Sequence, residues 1–194
     1  MKNFAALWFK NRSYTPIPFL LVMLYFAEST LLTLLVGFAV ALLGEFFRFW
    51  GVSYAGSETR TTGSVGGTFL VISGPFAYVR NPLYLGNILL YLGIGIMSNA
   101  LFPYLQIIAL IFFYIQYKII IDEEEAFLRT KFKDSYEEFY NNVPRIFPQF
   151  KAYRNNKVEQ PEFQMKGAFR SERRTLQAFS LVTIILVVMY LIRF

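Results

Sequence analysis

The chain has no cysteine and no histidine among its 194 residues. It therefore offers no thiolate nucleophile, no disulfide and no histidine-based triad, and it lacks the ligands of the usual zinc sites and of His-ligated haem. Charged residues are also scarce, at 16% of the chain, whereas soluble domains average about 25%. We expect no metal site, and any chemistry must use carboxylates, hydroxyls, amides, Arg and Lys, or a bound cofactor.

The abundant residues are apolar, because 55% of the chain is hydrophobic and 19% is aromatic. A membrane-spanning helix needs about 20 predominantly apolar residues, or somewhat fewer where the bilayer thins. Apolar stretches of this kind occupy residues 16–27, 29–47, 82–97, 100–121 and 176–192. The sequence therefore predicts an all-α, polytopic transmembrane protein of about five spans, of which the first is short.

Alternate threading of these spans places the amino terminus and residues 51–81 and 118–175 on one side of the membrane. That side carries every Lys and Arg except Arg193, so the positive-inside rule makes it cytoplasmic and places the carboxyl terminus on the opposite side. The net charge of +6 then reflects topology and anionic lipid headgroups, and we expect no nucleic-acid partner. The first residues turn charged and proline-bearing before the apolar stretch begins, so no cleaved signal is expected.

Glycines mark two features of the middle of the chain. Half of the twelve glycines lie between Gly51 and Gly74, in a stretch that also carries Ser and Thr. This composition predicts a mobile loop, and a loop of this length is either functional or a plain linker. Further on, Gly86 and Gly93 share one helix face, so a neighbouring helix can approach closely there.

The turn sequence at residues 97–103 predicts a hairpin of the third and fourth spans. Asn81 precedes this turn by about 17 residues and Glu124 follows it by about 25, so at a rise of about 1.5 Å per residue both return to the same membrane surface. The segment that follows the fourth span holds seven of the thirteen acidic residues. It predicts an interfacial helix with Glu125 and Arg129 at ion-pair spacing.

Five short motifs occur in order across this hairpin. They are TFLVISGPF (68–76), RNPLYLG (80–86), EEAFL (124–128), the pair Tyr136 and Tyr140, and VPRIFP (143–148). Together they resemble the isoprenylcysteine carboxyl methyltransferase and phospholipid methyltransferase superfamily. The resemblance implies S-adenosylmethionine as cofactor and a lipid-borne methyl acceptor, which is a lipid-modified small molecule or peptide in the bilayer. The single membrane domain then divides into a span hairpin (14–50), a catalytic core (68–148), and a polar segment with the last span (149–194).

Carried over position by position, the resemblance implies a cytoplasmic cofactor site formed by the loop before the third span and the helix after the fourth. The implied cofactor-binding residues are Thr68, Phe69, Leu70, Val71, Phe76, Asn81, Pro82, Leu83, Tyr84 and Glu124, with Glu124 and Tyr84 in the catalytic positions. Glu124 would meet the cationic amino or sulfonium end of the cofactor. Pro82 at a helix start leaves backbone amides for the methionine carboxylate, and Arg80 adds positive charge.

Four positions depart from the superfamily pattern. Thr68 and Asn81 replace histidines, Phe76 replaces a tyrosine, and Lys133 replaces a glycine. Asparagine can keep a hydrogen bond but cannot titrate. Position 81 therefore cannot act as a general base.

A further departure concerns the acceptor. Carboxyl-methylating relatives tend to carry an arginine where this chain has Ile120, and Lys118 is the nearest cation. Lys118, Arg170 and Arg173 are therefore the candidates for holding an anionic acceptor. The two arginines otherwise flank the last span as anchors.

The chemistry favours one acceptor and leaves three alternatives open. A carboxylate is already ionised at pH 7 and needs no base, so we expect carboxyl O-methylation of an isoprenylated cysteine or a similar lipid carboxylate. The first alternative is N-methylation of an amine or phospholipid, with Glu124, Glu125 or Tyr136 as base. The second is an NADPH-dependent reductase resembling membrane sterol reductases, which share the motif Asn-x-x-Tyr-x-Gly, although residues 122–125 would repel a polyanionic dinucleotide. The third is a non-catalytic membrane protein, although its polar clusters lie at one surface rather than at mid-bilayer.

Overall fold

The computed structural model describes Trp8, residues 11–56 and residues 69–193. Regular structure in this part of the chain is helical, without strands. The helices are α1 (Pro16–Tyr25), α2 (Leu31–Ala55), α3 (Pro82–Ser98), α4 (Tyr104–Asn142) and α5 (Met165–Ile192), and a 3₁₀ turn at Gly74–Ala77 precedes α3. The predicted all-α fold is confirmed.

Three of these helices, α2, α4 and α5, are long and apolar enough to cross a membrane. The other two, α1 and α3, are apolar but have only 10 and 17 residues, which is short of the roughly 20 that a full span needs. Each of the five predicted apolar stretches forms a helix, and three of them meet the length of a span.

Two helices extend beyond the apolar stretches that predicted them. Helix α2 continues from residue 47 to Ala55, and α5 begins at Met165 rather than at residue 176. Gly51 is therefore helical, which corrects its assignment to the mobile loop. This last part of α2 packs closely on α3, because a Cβ at Gly51 would lie 2.9 Å from the side chain of Leu83. Residues 57–68 of the predicted loop lie outside the described residues.

The helices alternate in direction along the chain. At one end of the bundle the backbone N–H of Gln164, before α5, donates to the carbonyl of Ser53 in α2 (2.8 Å). At the other end the N–H of Glu28, before α2, donates to the carbonyl of Ser98 in α3 (2.8 Å). We call the end that contains Ser53 and Gln164 the polar end, because the motif residues lie there.

Helices α2 and α3 meet at a seam of small residues, Gly37, Ala41 and Gly44 on α2 and Gly86 and Gly93 on α3. The backbones approach so closely that a Cβ at Gly44 would lie 2.6 Å from the carbonyl oxygen of Gly86. The close approach predicted from the spacing of Gly86 and Gly93 is therefore confirmed. Small residues allow such contact where lipid provides no hydrophobic drive between helices.

We expect Gly44→Ala to lower the free energy of unfolding by about 1–3 kcal/mol, because the added methyl group meets backbone that cannot yield. The measurement is reversible unfolding in mixed micelles. The matched control is Gly167→Ala on α5, where the added Cβ would lie 3.4 Å from the flexible side chain of Gln164. That variant should be as stable as the native chain or up to about 1 kcal/mol more stable, from helix propensity. Equal destabilisation by both substitutions would contradict a tight seam.

Helix α4 is interrupted at Lys133, whose backbone lies at φ 45° and ψ −121°. This region favours glycine, and an L-residue held there costs roughly 1–3 kcal/mol. Beyond the kink, Tyr136 and Phe139 turn back and pack against Leu70 and Ile72 of the loop before α3. Lys133 is also the position at which the resembling superfamily carries glycine, so the departure noted in the sequence falls on a strained residue.

Lys133→Gly should raise the free energy of unfolding by about 1 kcal/mol, because glycine adopts this conformation without strain. Lys131→Gly, two residues earlier in regular helix, should instead lower it by about 1 kcal/mol. Thermal unfolding of the two variants beside the native chain measures both effects. A loss of stability in both would mean that position 133 is not strained.

Candidate active site

A cavity of about 840 Å³ extends into the bundle from the polar end, and all five helices contribute to its wall. Its lining includes charged and polar residues such as Arg80, Asn81 and Glu124, and also apolar residues of the helix interior such as Ile94 and Val182. The volume lies within the range of small-molecule sites, about 300–1,000 Å³. One continuous cavity can therefore hold a polar ligand and an apolar chain side by side.

The structure brings most of the predicted cofactor-binding residues together in this wall. Those that line the cavity are Phe69, Leu70, Val71, Phe76, Asn81, Leu83, Tyr84 and Glu124. Pro82 is buried at the first position of α3 and is not part of the lining. Thr68 lies outside the described residues. The helix after the fourth span and the loop before the third thus both contribute to the wall of one cavity.

The three predicted acceptor-binding residues are not brought to the cavity. Lys118 forms an exposed ion pair with Asp122 (3.0 Å). Arg170 and Arg173 are exposed on α5. The neighbouring Arg174 does line the cavity.

Glu125 is the most buried carboxylate of the motif region, with 5% of its surface exposed. Its Oε1 accepts from Nε of Arg80 (3.1 Å), and its Oε2 accepts from Arg145. Arg145 also donates to Asp122 (2.7 Å). Partial burial alone would lower the pKa of the Arg145 guanidinium, but its hydrogen bonds to Glu125 and Asp122 raise it. The guanidinium groups of Arg80 and Arg145 therefore balance the buried negative charge of Glu125.

Arg80 connects this carboxylate to the end of α4. Its Nη1 donates to the carbonyls of Tyr140 (2.8 Å) and Val143, and its guanidinium lies 4.0 Å from the centroid of the Tyr140 ring. The charge expected to face the methionine carboxylate is thus engaged within the protein. Arg129 stacks on the same ring, at 4.1 Å.

The predicted pair of Glu125 with Arg129 does not form, which corrects the interpretation of this segment as a simple solvated helix. Arg129 pairs with Glu137 instead, at 3.1 Å. The kink at Lys133 brings Glu137 back beside the preceding turn. Glu125 is left for the arginines of two other segments.

Glu124 differs from its neighbour because it lines the cavity and its side chain keeps 26% of its surface exposed. The hydroxyl of Tyr84 donates to Glu124 Oε1 (2.7 Å), and Nη1 of Arg12 lies 4.0 Å from the same oxygen. A carboxylate in this partly dehydrated position gains most from a cationic ligand. This is the role predicted for Glu124.

The start of α3 provides backbone donors beside Glu124. Pro82 has no N–H, and the first bond of the helix runs from the N–H of Leu85 to the carbonyl of Asn81 (3.1 Å). The N–H groups of Leu83 and Tyr84 therefore have no acceptor within the helix. The side chain of Asn81 makes no capping hydrogen bond to them, and its amide N–H group donates to the carbonyl of Arg145 (3.2 Å). Since Leu83 and Tyr84 both line the cavity, these groups can bind an anion at the positive end of the helix dipole.

The loop that carries the first motif is held by the segment after α4, which the sequence did not predict. The side chain of Gln160 accepts from the N–H of Ile72 (2.8 Å) and donates to the carbonyl of Leu70 (3.0 Å). The N–H of Gln149 donates to the carbonyl of Tyr78 (2.9 Å). No local sequence signal marks Gln160 for this role, because its contacts are about ninety residues away.

The cavity wall also contains charged residues that no motif predicted, Arg12, Arg48, Glu172 and Arg174. The signal that marks one of them is a charge within an otherwise apolar helix, since such charges are rare and face polar partners. Arg48 on α2 fits this description, whereas Glu172 lies in the charged first half of α5. No group of three Asp or Glu residues able to hold a metal ion occurs among residues 8, 11–56 and 69–193.

Comparison with known proteins gives one family and two curated relatives. A sequence profile described as phospholipid methyltransferase matches residues 32–135. The cobalt-zinc-cadmium resistance protein CzcN of Cupriavidus metallidurans is 34% identical over 64% of this chain and 52% of its own length. The nickel-cobalt-cadmium resistance protein NccN of Alcaligenes xylosoxydans xylosoxydans is 26% identical over 66% of this chain and 54% of its own. The chain thus spans about half the length of the curated relatives it matches, and no solved structure is significantly similar.

Proposed function

Because the chain belongs to the phospholipid methyltransferase family, we propose that it uses S-adenosylmethionine to methylate a lipophilic acceptor at the membrane. The observation that carries this proposal is the single cavity that joins the motif residues to an apolar interior. A lipid acceptor needs both parts, since its chain stays in an apolar environment while its head group reaches the methyl donor.

The residues present fit the proposed cofactor. Glu124 suits a cationic group, and the N–H groups of Leu83 and Tyr84 suit a carboxylate. Leu70 and Phe76 offer an apolar surface for a flat ring. Bound there, S-adenosylmethionine would supply a methyl group carried on a positively charged sulfur.

The first acceptor we propose is the carboxylate of an isoprenylated cysteine or a similar lipid carboxylate. A bond forms between the acceptor oxygen and the methyl carbon, the carbon–sulfur bond breaks, and its electron pair stays on sulfur. No proton moves, so the chain has only to align the two atoms and exclude water. This demand suits a site with Asn81 at the position of the motif histidine.

The family description favours a second acceptor, the amine of a phospholipid head group. An ammonium must lose a proton before it can accept a methyl group, and this requires a base. Glu124 is the carboxylate in position to take that proton, because it lines the cavity and is not held in an ion pair as close as that of Glu125.

We also propose that the polar end faces the cytoplasm, because the Lys and Arg residues concentrate there. The two relatives are named for resistance to metals. Since this chain has no cysteine or histidine, the usual ligands of soft metals, we propose that any part it takes in metal tolerance comes from methylating a lipid.

The deciding experiment is calorimetric titration of the detergent-purified chain with S-adenosylhomocysteine and, separately, with NADPH. Binding of S-adenosylhomocysteine alone is expected. Binding of NADPH alone would replace the proposal with the reductase alternative, and binding of neither would remove the basis for a cofactor site in this cavity.

A further inference from the structure

Arg48 lies outside every motif and still lines the cavity that contains Tyr84 and Glu124. It is on α2, a helix apolar enough to span a membrane, and its side chain is only 13% exposed. An arginine buried at this depth is costly, and such residues commonly mark ligand contacts. Its surroundings show what it can bind.

The guanidinium of Arg48 joins three helices. Its Nη2 donates to Glu172 Oε2 (2.6 Å) and to Thr175 Oγ1 (3.4 Å) on α5. Its Nη1 donates to Asn87 Oδ1 on α3. Its Nε lies 3.7 Å from Glu45 Oε2 on the same helix. The group is therefore held firmly in one place.

These contacts leave donors unused. A guanidinium has five N–H bonds, and the hydrogen bonds to Asn87, Glu172 and Thr175 take three of them. Nε has no hydrogen-bond partner among the described residues, but it is itself buried and faces Glu45. The second N–H bond of Nη1 is the donor that remains for a ligand. The positive charge of the guanidinium is already balanced by the carboxylates of Glu172 and Glu45. The site therefore favours a ligand that presents a neutral hydrogen-bond acceptor, because the two carboxylates would repel an anion.

The position of Arg48 within the cavity is equally specific. Its partner Asn87 follows Tyr84 by one turn of α3, a rise of about 4.5 Å, and both residues line the cavity. Further along α3 the lining is formed by the apolar side chains of Leu90 and Ile94 and by Tyr91. Arg48 thus lies between the Tyr84 and Glu124 region and the apolar interior.

We propose that Arg48 is a specificity-determining residue that donates to a neutral carbonyl oxygen of the methyl acceptor, an ester or amide attached where its apolar chain joins the part that accepts the methyl group. This inference rests on the proposed function. It adds a requirement on the acceptor, that it carries this carbonyl, which the motif residues do not impose.

Two matched pairs of probes test the requirement with the purified full chain, saturated with S-adenosylhomocysteine. The first pair is N-acetyl-S-farnesylcysteine and S-farnesylthiopropionic acid, which lacks the amide. The second is diacyl phosphatidylethanolamine and its dialkyl ether analogue. In one pair we expect the carbonyl-bearing probe to bind roughly tenfold more tightly, as for one hydrogen bond to a charged donor. The pair that shows the preference identifies which lipid class carries the carbonyl.

Arg48→Lys keeps a cation beside Glu172 and removes the guanidinium fork, so the preference should fall to about twofold or less. Arg154→Lys, at an exposed position away from the cavity, should retain it. Equal affinities within both pairs for the native chain would overturn the inference without any variant. A preference that survives Arg48→Lys would overturn it too. Failure of S-adenosylhomocysteine itself to bind would instead refute the proposed function.

Discussion

Replacing Arg80 with glutamine is expected to lower the free energy of unfolding by about 3 kcal/mol, because one charge of a buried pair is left uncompensated. Of its two arginines Glu125 would keep Arg145, and the carbonyls of Tyr140 and Val143 would lose a charged donor. The loop before α3 should also become less ordered, because the backbone N–H of Arg80 connects it to the carbonyl of Pro144 (2.8 Å). Unfolding in mixed micelles measures the stability, and S-adenosylhomocysteine titration should show weaker binding.

The control is Arg129→Gln. Arg129 stacks on the same tyrosine ring and also pairs with a glutamate, but its side chain is 43% exposed. Exposed ion pairs contribute about 0–1 kcal/mol, so this variant should stay close to the native chain. If both variants lost the same stability, burial of the Arg80–Glu125 pair would not be what stabilises the site.

Replacing Glu124 with glutamine should weaken S-adenosylhomocysteine binding by roughly 10- to 100-fold, the loss expected when a charged hydrogen-bond acceptor for a cation becomes neutral. The fold should survive, because glutamine can still accept from the Tyr84 hydroxyl. Calorimetry gives the affinity, and thermal unfolding without ligand verifies the fold. The effect should be larger for S-adenosylmethionine than for S-adenosylhomocysteine, because only the former carries the sulfonium charge.

Two other acidic residues serve as controls that separate the charge at Glu124 from general electrostatic effects. Glu123→Gln removes the same charge one residue earlier on α4, at an exposed position outside the cavity lining. Glu28→Gln does so at the opposite end of the bundle, where Glu28 bonds through its backbone to Ser98. Both variants should bind as the native chain does. Equal binding by Glu124→Gln and its two controls would remove the reason for placing the cofactor at Glu124.

The sequence predicted those parts of the candidate site that depend on short motifs and on the spacing between them. The order of the motifs and the length of the hairpin indicated that Asn81 and Glu124 return to one surface, and the structure brings Asn81, Tyr84 and Glu124 into one cavity wall. The placement of Lys118 at the acceptor was also argued locally, because it is the cation nearest to Ile120. In the structure Lys118 is on the outside of α4, because helix phase decides which residues of a turn face inward.

What the sequence determined by itself is the class of molecule: an all-helical, apolar chain without cysteine or histidine, with its glycine seam and its motif residues in order. Composition and helix periodicity are properties of neighbouring residues, so they can be read without a fold. Only the tertiary structure decided which charges meet. Glu125 pairs with Arg80 and Arg145. Arg48 forms a hydrogen bond with Glu172, which is 124 positions away in the chain. Such pairs depend on how closely α2 and α3 pack and on the turn at Lys133, and no local pattern encodes distances set by several helices at once.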